Sequence, residues 1–127
     1  MIVIPGERIK NITAQGLTYV GDDGAEAFID FALCRQNLIE QRTIPETLKL
    51  NKERNGMTEE RFREYIARIQ KSKEVGFRNI VGSPDSKQPY IIFTTKPPIR
   101  FEFLNGNALY VVQNAVRKAG WRTMDLS

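Results

Sequence analysis

Tyr90-Ile91-Ile92-Phe93-Thr94-Thr95-Lys96-Pro97-Pro98-Ile99-Arg100-Phe101-Glu102-Phe103 is the stretch that settles the class of fold. Tyr90–Thr95 is aromatic and β-branched and apolar on both faces, as an interior strand should be. Lys96-Pro97-Pro98 makes a stiff connection. Beyond it Ile99, Phe101 and Phe103 alternate strictly with Arg100 and Glu102. That strand has one dry face and one wet face.

Toward the C-terminus, Asn105-Gly106-Asn107 turns the chain into a helix predicted over 108–119, closed by Gly120 at the C′ position. Leu109, Val112, Ala115, Val116 and Ala119 form its apolar face, and a short strand over 121–126 follows. Toward the N-terminus, Gly82-Ser83-Pro84-Asp85 reads as a turn and Phe77–Val81 as a strand. Before them lies a helix capped by Thr58 and stopped by Gly76. Glu59 and Glu60 sit in its first turn and Lys71 and Lys73 near its end, each where the helix dipole favours it. Its stripe is narrow (Phe62, Tyr65, Ile66, Ile69), and Glu64 and Arg68 are spaced for an i,i+4 pair. Residues 46–57 are polar and read as a loop or a short helix. Thr43-Ile44-Pro45 ends the element before them, because the residue preceding proline is pushed out of the helical region.

Two readings fit residues 24–42. As a helix, Asp23 is the N-cap with Glu26 three residues on, and Phe28, Phe31, Ala32, Arg35 and Leu38 share a face. As a strand, Ile29, Phe31 and Leu33 alternate across a hairpin turned at Gly21–Gly24. The helix explains the cap and the length through Glu40, so it is preferred. With short strands at Ile2–Ile4 and Leu17–Val20, the order is ββααβββαβ. No internal repeat, low-complexity tract or long linker interrupts it. The expectation is one α+β domain over 1–127: a mainly antiparallel sheet of about five strands with two or three helices packed on one face.

The chain has 127 residues, one cysteine and no histidine. A disulfide framework, a structural zinc site and every His-centred catalytic arrangement are thereby closed. No run approaches the ~20 apolar residues of a membrane span, and the N-terminus does not read as a signal peptide. A cytoplasmic protein without membrane attachment is expected. Charge is uneven: residues 1–34 carry a net −3, residues 35–78 a net +4 and residues 79–127 a net +3. Such a basic body permits polyanion binding.

The last helix carries the best candidate surface. Tyr110, Gln113, Asn114, Arg117 and Lys118 fall opposite its apolar stripe, an aromatic ring followed by an amide and an arginine fork. Arg122 lies just beyond, and Arg100 projects from the wet side of its strand. With Tyr90 and a Trp121 edge, Arg100 would make a stacking and charge platform of the kind RNA-binding sheets use. On helix 58–73 the cations Arg61, Arg63, Arg68, Lys71 and Lys73 are nearly matched by Glu59, Glu60, Glu64 and Glu74, the pattern of a solvated, salt-bridged face.

For catalysis, Asp22, Asp23 and Asp30 are the carboxylates close enough in sequence to suggest a cation site, although their spacing is not that of an EF-hand. Asp30 interrupts the apolar run Phe28–Leu33, so if buried it needs a partner such as Arg35. Cys34 beside Arg35 reads as a small core hydrophobe. Pro84-Asp85 is followed by no Glu-x-Lys strand, and no phosphate loop is present. The expectation is a non-catalytic adaptor or regulatory module without cofactor or metal. A protein partner, met through Tyr110, Asn114, Arg117, Lys118, Arg100 and Arg122, is the first choice. Nucleic acid bound on the basic C-terminal surface is the alternative, and a carboxylate- or metal-dependent hydrolase is the second. Short terminal strands also offer sheet edges for a homodimer.

Overall fold

The computed structural model describes residues 1–82 and 87–126. The larger sheet contains β1 (Ile2–Pro5), β5 (Glu74–Asn79), β6 (Tyr90–Phe93), β7 (Ile99–Glu102) and β8 (Arg122–Asp125), in the order β1-β7-β6-β5-β8. A smaller antiparallel sheet contains β2 (Ile9–Ile12), β3 (Gly16–Val20) and β4 (Glu26–Asp30) in chain order. The helices are α1 (Phe31–Arg42), α2 (Pro45–Arg54), α3 (Glu59–Gln70) and α4 (Gly106–Lys118). This is a single α+β domain, with four α-helices among the described residues where two or three were expected and a second sheet that was not.

β5, β6 and β7 pair antiparallel, whereas the edge strands β1 and β8 run parallel to β7 and β5. A parallel partner needs a crossover, and α4 supplies it by carrying the chain from β7 to the far edge of the sheet. Register puts Ile4, Phe101 and Ile91 in one row and Ile99 and Phe93 in the next. These side chains point inward. Tyr19 of β3 packs edge-on against Phe101 (5.4 Å between ring centroids), Phe101 against Phe93 (5.8 Å), and Phe93 against Phe31 of α1 (5.7 Å). Leu109 and Val116 of α4 close the same core. Each such burial contributes about 1.5–3 kcal/mol. Thr94 ties α1 to the sheet: its hydroxyl lies 2.7 Å from the Cys34 carbonyl and 3.1 Å from that of Val75. Asn37 donates to the Thr94 carbonyl at 2.9 Å.

Residues 24–42 divide between the two readings, and the continuous helix is corrected. β4 pairs with β3 across a turn in which Gly24 takes φ +80° and the Asp23 carboxylate accepts from the Ala25 N–H at 3.0 Å. Asp23 therefore caps a hairpin, not a helix. The helix N-cap is Asp30, which accepts from the N–H groups of Ala32 (3.0 Å) and Leu33 (3.3 Å). Asp30 is exposed, so it needs no buried partner. The deciding force is β3: its buried Leu17 lies opposite Ile29, and a helix from residue 24 would leave that side of the ladder unpaired.

Gly76 does not stop α3 either. The helix ends at Gln70 with Lys71 as C-cap, and Gly76 lies inside β5, where a Cβ would meet the Ile92 carbonyl oxygen at 1.9 Å. Residues 46–57 hold α2, with Pro45 at its first position. Asn105 caps α4 by accepting from the Ala108 N–H at 2.9 Å, and Gly120 (φ +95°) closes it as expected. The Ser83–Asp85 part of the predicted turn, with Pro84-Asp85, lies outside the described residues.

Candidate functional site

Where α3 ends, Lys71-Ser72-Lys73 leads into β5. Arg35 reaches across from α1 and donates to the carbonyls of Gln70 and Ser72, which fixes the path of this link. Arg35 is thus spent on α3, not on Asp30 or Cys34. Glu74, at the head of β5, accepts from Arg42 at 2.6 Å and from the Ser72 hydroxyl at 2.9 Å. Around this joint opens a cleft of about 570 Å³, whose wall includes Arg42, Tyr65, Arg68, Lys71, Lys73 and Arg122. A second cleft of about 520 Å³, between α4 and β8, shares Glu74 and Arg122 with the first. It adds Arg78, Gln113, Arg117, Thr123 and Asp125.

Seven basic and two acidic side chains line the pair of clefts. Both acids are engaged, Glu74 by Arg42 and Asp125 by Arg78 at 3.7 Å. Among the described residues no carboxylate lies within 4.0 Å of Arg68, Lys71, Lys73, Arg117 or Arg122. Lys73 rests over the Trp121 ring at 5.4 Å, which leaves its charge in place. Like charges gathered in a concave surface focus the field there and attract polyanions. The neutralisation expected along α3 is not what forms. Glu59 pairs with Lys52 of α2, and Glu64 and Arg68 do not come within 4.0 Å of each other.

Of the residues singled out in the sequence, Arg117 and Arg122 line these clefts. Asn114 and Lys118 are exposed on α4. Tyr110 is exposed too (44%) but lines neither cleft. Arg100 stands apart from all of them. It projects from the face of the sheet opposite Phe101, in one row with Val3, Ile92 and Phe77. Its guanidinium lies 3.9 Å from the Tyr90 ring centre and 3.6 Å from Glu102, with the side chain only 13% exposed. The expected platform is incomplete, because Trp121 packs on Phe31 in the core and donates to the Ala14 carbonyl at 2.8 Å. Sequence reasoning missed Arg42, Arg68, Lys71, Lys73 and Arg78 as one group, since α1, α3, the α3–β5 link and β5 each carry part of it. Their only trace in the sequence is the +4 of residues 35–78.

Gln113 also requires correction. The sequence puts it on the face opposite the apolar stripe of α4, yet it is 8% exposed and continues the buried stripe of Leu109 and Val116. The expected stripe of Leu109, Val112, Ala115, Val116 and Ala119 is buried or half-buried as well, so Gln113 widens it on the side where Arg78 lines the same cleft. The three aspartates do not converge. Asp22 pairs with Arg8, Asp23 holds the hairpin turn, and Asp30 caps α1 at the other end of β4. Among the described residues no group of three or more Cys, Asp or Glu side chains could hold a metal. No described helix is long and apolar enough to cross a membrane.

Cys34 is fully buried. Burial, and then the charge of Asp30, push its thiol from an ordinary value of 9.0 up to about 12, against the pull of its hydrogen bonds with Thr94. The unfolded chain releases this proton at the lower value and the folded chain only at the higher. Stability contributed by the neutral thiol is complete below about pH 9 and falls as pH rises toward 12. Urea midpoints measured at about pH 8 and about pH 10.5 are expected to drop more for the native chain than for Cys34→Ala. Equal drops would show that the thiol is free to ionise in the fold.

No protein-family model, curated protein or solved structure matches this chain.

Proposed function

We propose that this chain is a non-catalytic module that binds single-stranded nucleic acid along the two adjoining basic clefts. The observation that carries the reading is the convergence of five cations without a carboxylate partner among the described residues, drawn from α3, the α3–β5 link, α4 and β8. Cleft volumes of 570 and 520 Å³ fall within the roughly 300–1,000 Å³ typical of ligand pockets. They suit a strand whose nucleotides enter one at a time better than a duplex, which would touch only the rims. Tyr65, beside Arg68 in the first cleft, offers a ring for stacking. The protein-partner expectation uses Tyr110, Asn114, Arg117 and Lys118 of α4 together with Arg100 and Arg122. Of that set only Arg117 and Arg122 belong to the convergent group, so nucleic acid moves ahead of it.

Fluorescence-anisotropy titration with labelled single-stranded RNA and DNA tests the reading. Five phosphate contacts to a single strand give a log–log salt slope of about −3.5, so affinity should fall roughly a hundredfold between 50 and 200 mM salt. No binding at the lower salt would overturn the proposal. Binding of a polyglutamate peptide instead would reassign the surface to an acidic protein.

A further inference from the structure

The second cleft contains polar groups that a phosphate backbone does not satisfy. The Gln113 side-chain oxygen is buried and has no hydrogen-bond partner among the described residues, in a residue 8% exposed. The Nε of Arg78 is likewise buried and unpartnered, although its Nη1 donates to the carbonyl and the hydroxyl of Thr123. Both side chains line the cleft. A buried acceptor and a buried donor left open cost free energy, so a site that keeps them invites a ligand with the opposite groups. A phosphate has no N–H to offer Gln113. A nucleobase edge has a donor next to an acceptor, and glutamine meets adenine in this two-bond manner. Arg117 and Arg122 at the mouth are placed to take the flanking phosphates.

We propose that the α4–β8 cleft is a base pocket: one adenine of the bound strand enters it against Gln113 and Arg78, while Arg117 and Arg122 hold the phosphates on either side. The inference rests on the single-strand reading above, and the test separates the two. Labelled oligoriboadenylate and oligodeoxyadenylate are compared with an abasic backbone of equal length and charge at 50 mM salt. The native chain should favour the base-bearing strands about tenfold, the worth of one recognised base. In Gln113→Leu the preference should shrink to about twofold or less with the salt slope unchanged. The melting temperature should hold or rise, since an unpartnered buried side-chain oxygen is replaced by an apolar group.

Equal binding of base-bearing and abasic strands by the native chain would overturn the base pocket and leave the basic clefts standing. A preference that survives Gln113→Leu would place the base elsewhere, and this too overturns the proposal. Absence of binding to every strand would remove the underlying reading along with it. The comparison on the native chain needs no variant, so an unfolded Gln113→Leu would not shelter the idea.

Discussion

Replacing Lys71 and Arg122 together by glutamine is expected to weaken single-strand binding about a hundredfold at 50 mM salt. Each phosphate contact to a single strand contributes a slope of about 0.7, which is worth roughly tenfold at that salt. The salt slope itself should shallow by about 1.4. These two positions are chosen because each side chain is exposed and has no carboxylate within 4.0 Å among the described residues. The backbone bond from Arg122 N–H to the Lys73 carbonyl (2.9 Å) does not depend on the side chain. Stability should therefore change by no more than about 0.5 kcal/mol, and circular-dichroism melting of the double variant checks it. Arg42 would be a poor substitute, since its loss strands the half-buried Glu74 carboxylate and mixes a folding defect with a binding one. A matched control, Lys10→Gln with Lys52→Gln, removes the same charge from ion pairs outside the clefts. If that control loses as much affinity as the cleft variant, binding follows net charge and the clefts are not the site.

The legibility of this chain divides along the distance over which its determinants act. Alternation at Ile99–Phe103, the Thr58 cap and the Gly120 closure are local signals, and each forms at the position it marks, whereas Asn105, read as part of a turn, caps an α4 that begins at Gly106 and not at residue 108. Residues 24–42 failed because one aspartate can cap a hairpin turn or a helix with the same two-residue reach. Asp23 did the first and Asp30 the second. What selected between them was the need of β3 for a partner, which no local window contains. Gly76 misled for a related reason: its missing side chain serves close strand pairing with Ile92. The basic clefts are the extreme case. Their cations come from sequence positions 42 to 122 and converge only because Arg35 pins the α3–β5 link and α4 crosses to β8.

Phe93→Ala is the substitution expected to cost the fold most. Phe93 is fully buried, and its ring is the middle member of the aromatic chain running from Phe31 through Phe93 and Phe101 to Tyr19. That chain is where α1, the larger sheet and the smaller sheet meet, so a void opened there is walled by three elements. None of them can collapse into it without dragging its own hydrogen bonds, Thr94 to Cys34 and Val75 among them. Loss of a buried phenylalanine costs about 3–5 kcal/mol, against a total stability of only about 5–15 kcal/mol for a typical domain. Thermal unfolding should begin roughly 10–20 °C earlier. Phe93→Leu keeps much of the volume and should cost about 1–2 kcal/mol. Phe28→Ala, at a ring 57% exposed on β4, should change stability by less than about 0.5 kcal/mol. Denaturant titration of the three variants ranks them. A Phe93→Ala chain as stable as Phe28→Ala would mean that the two sheets and α1 are joined by something other than this row of rings.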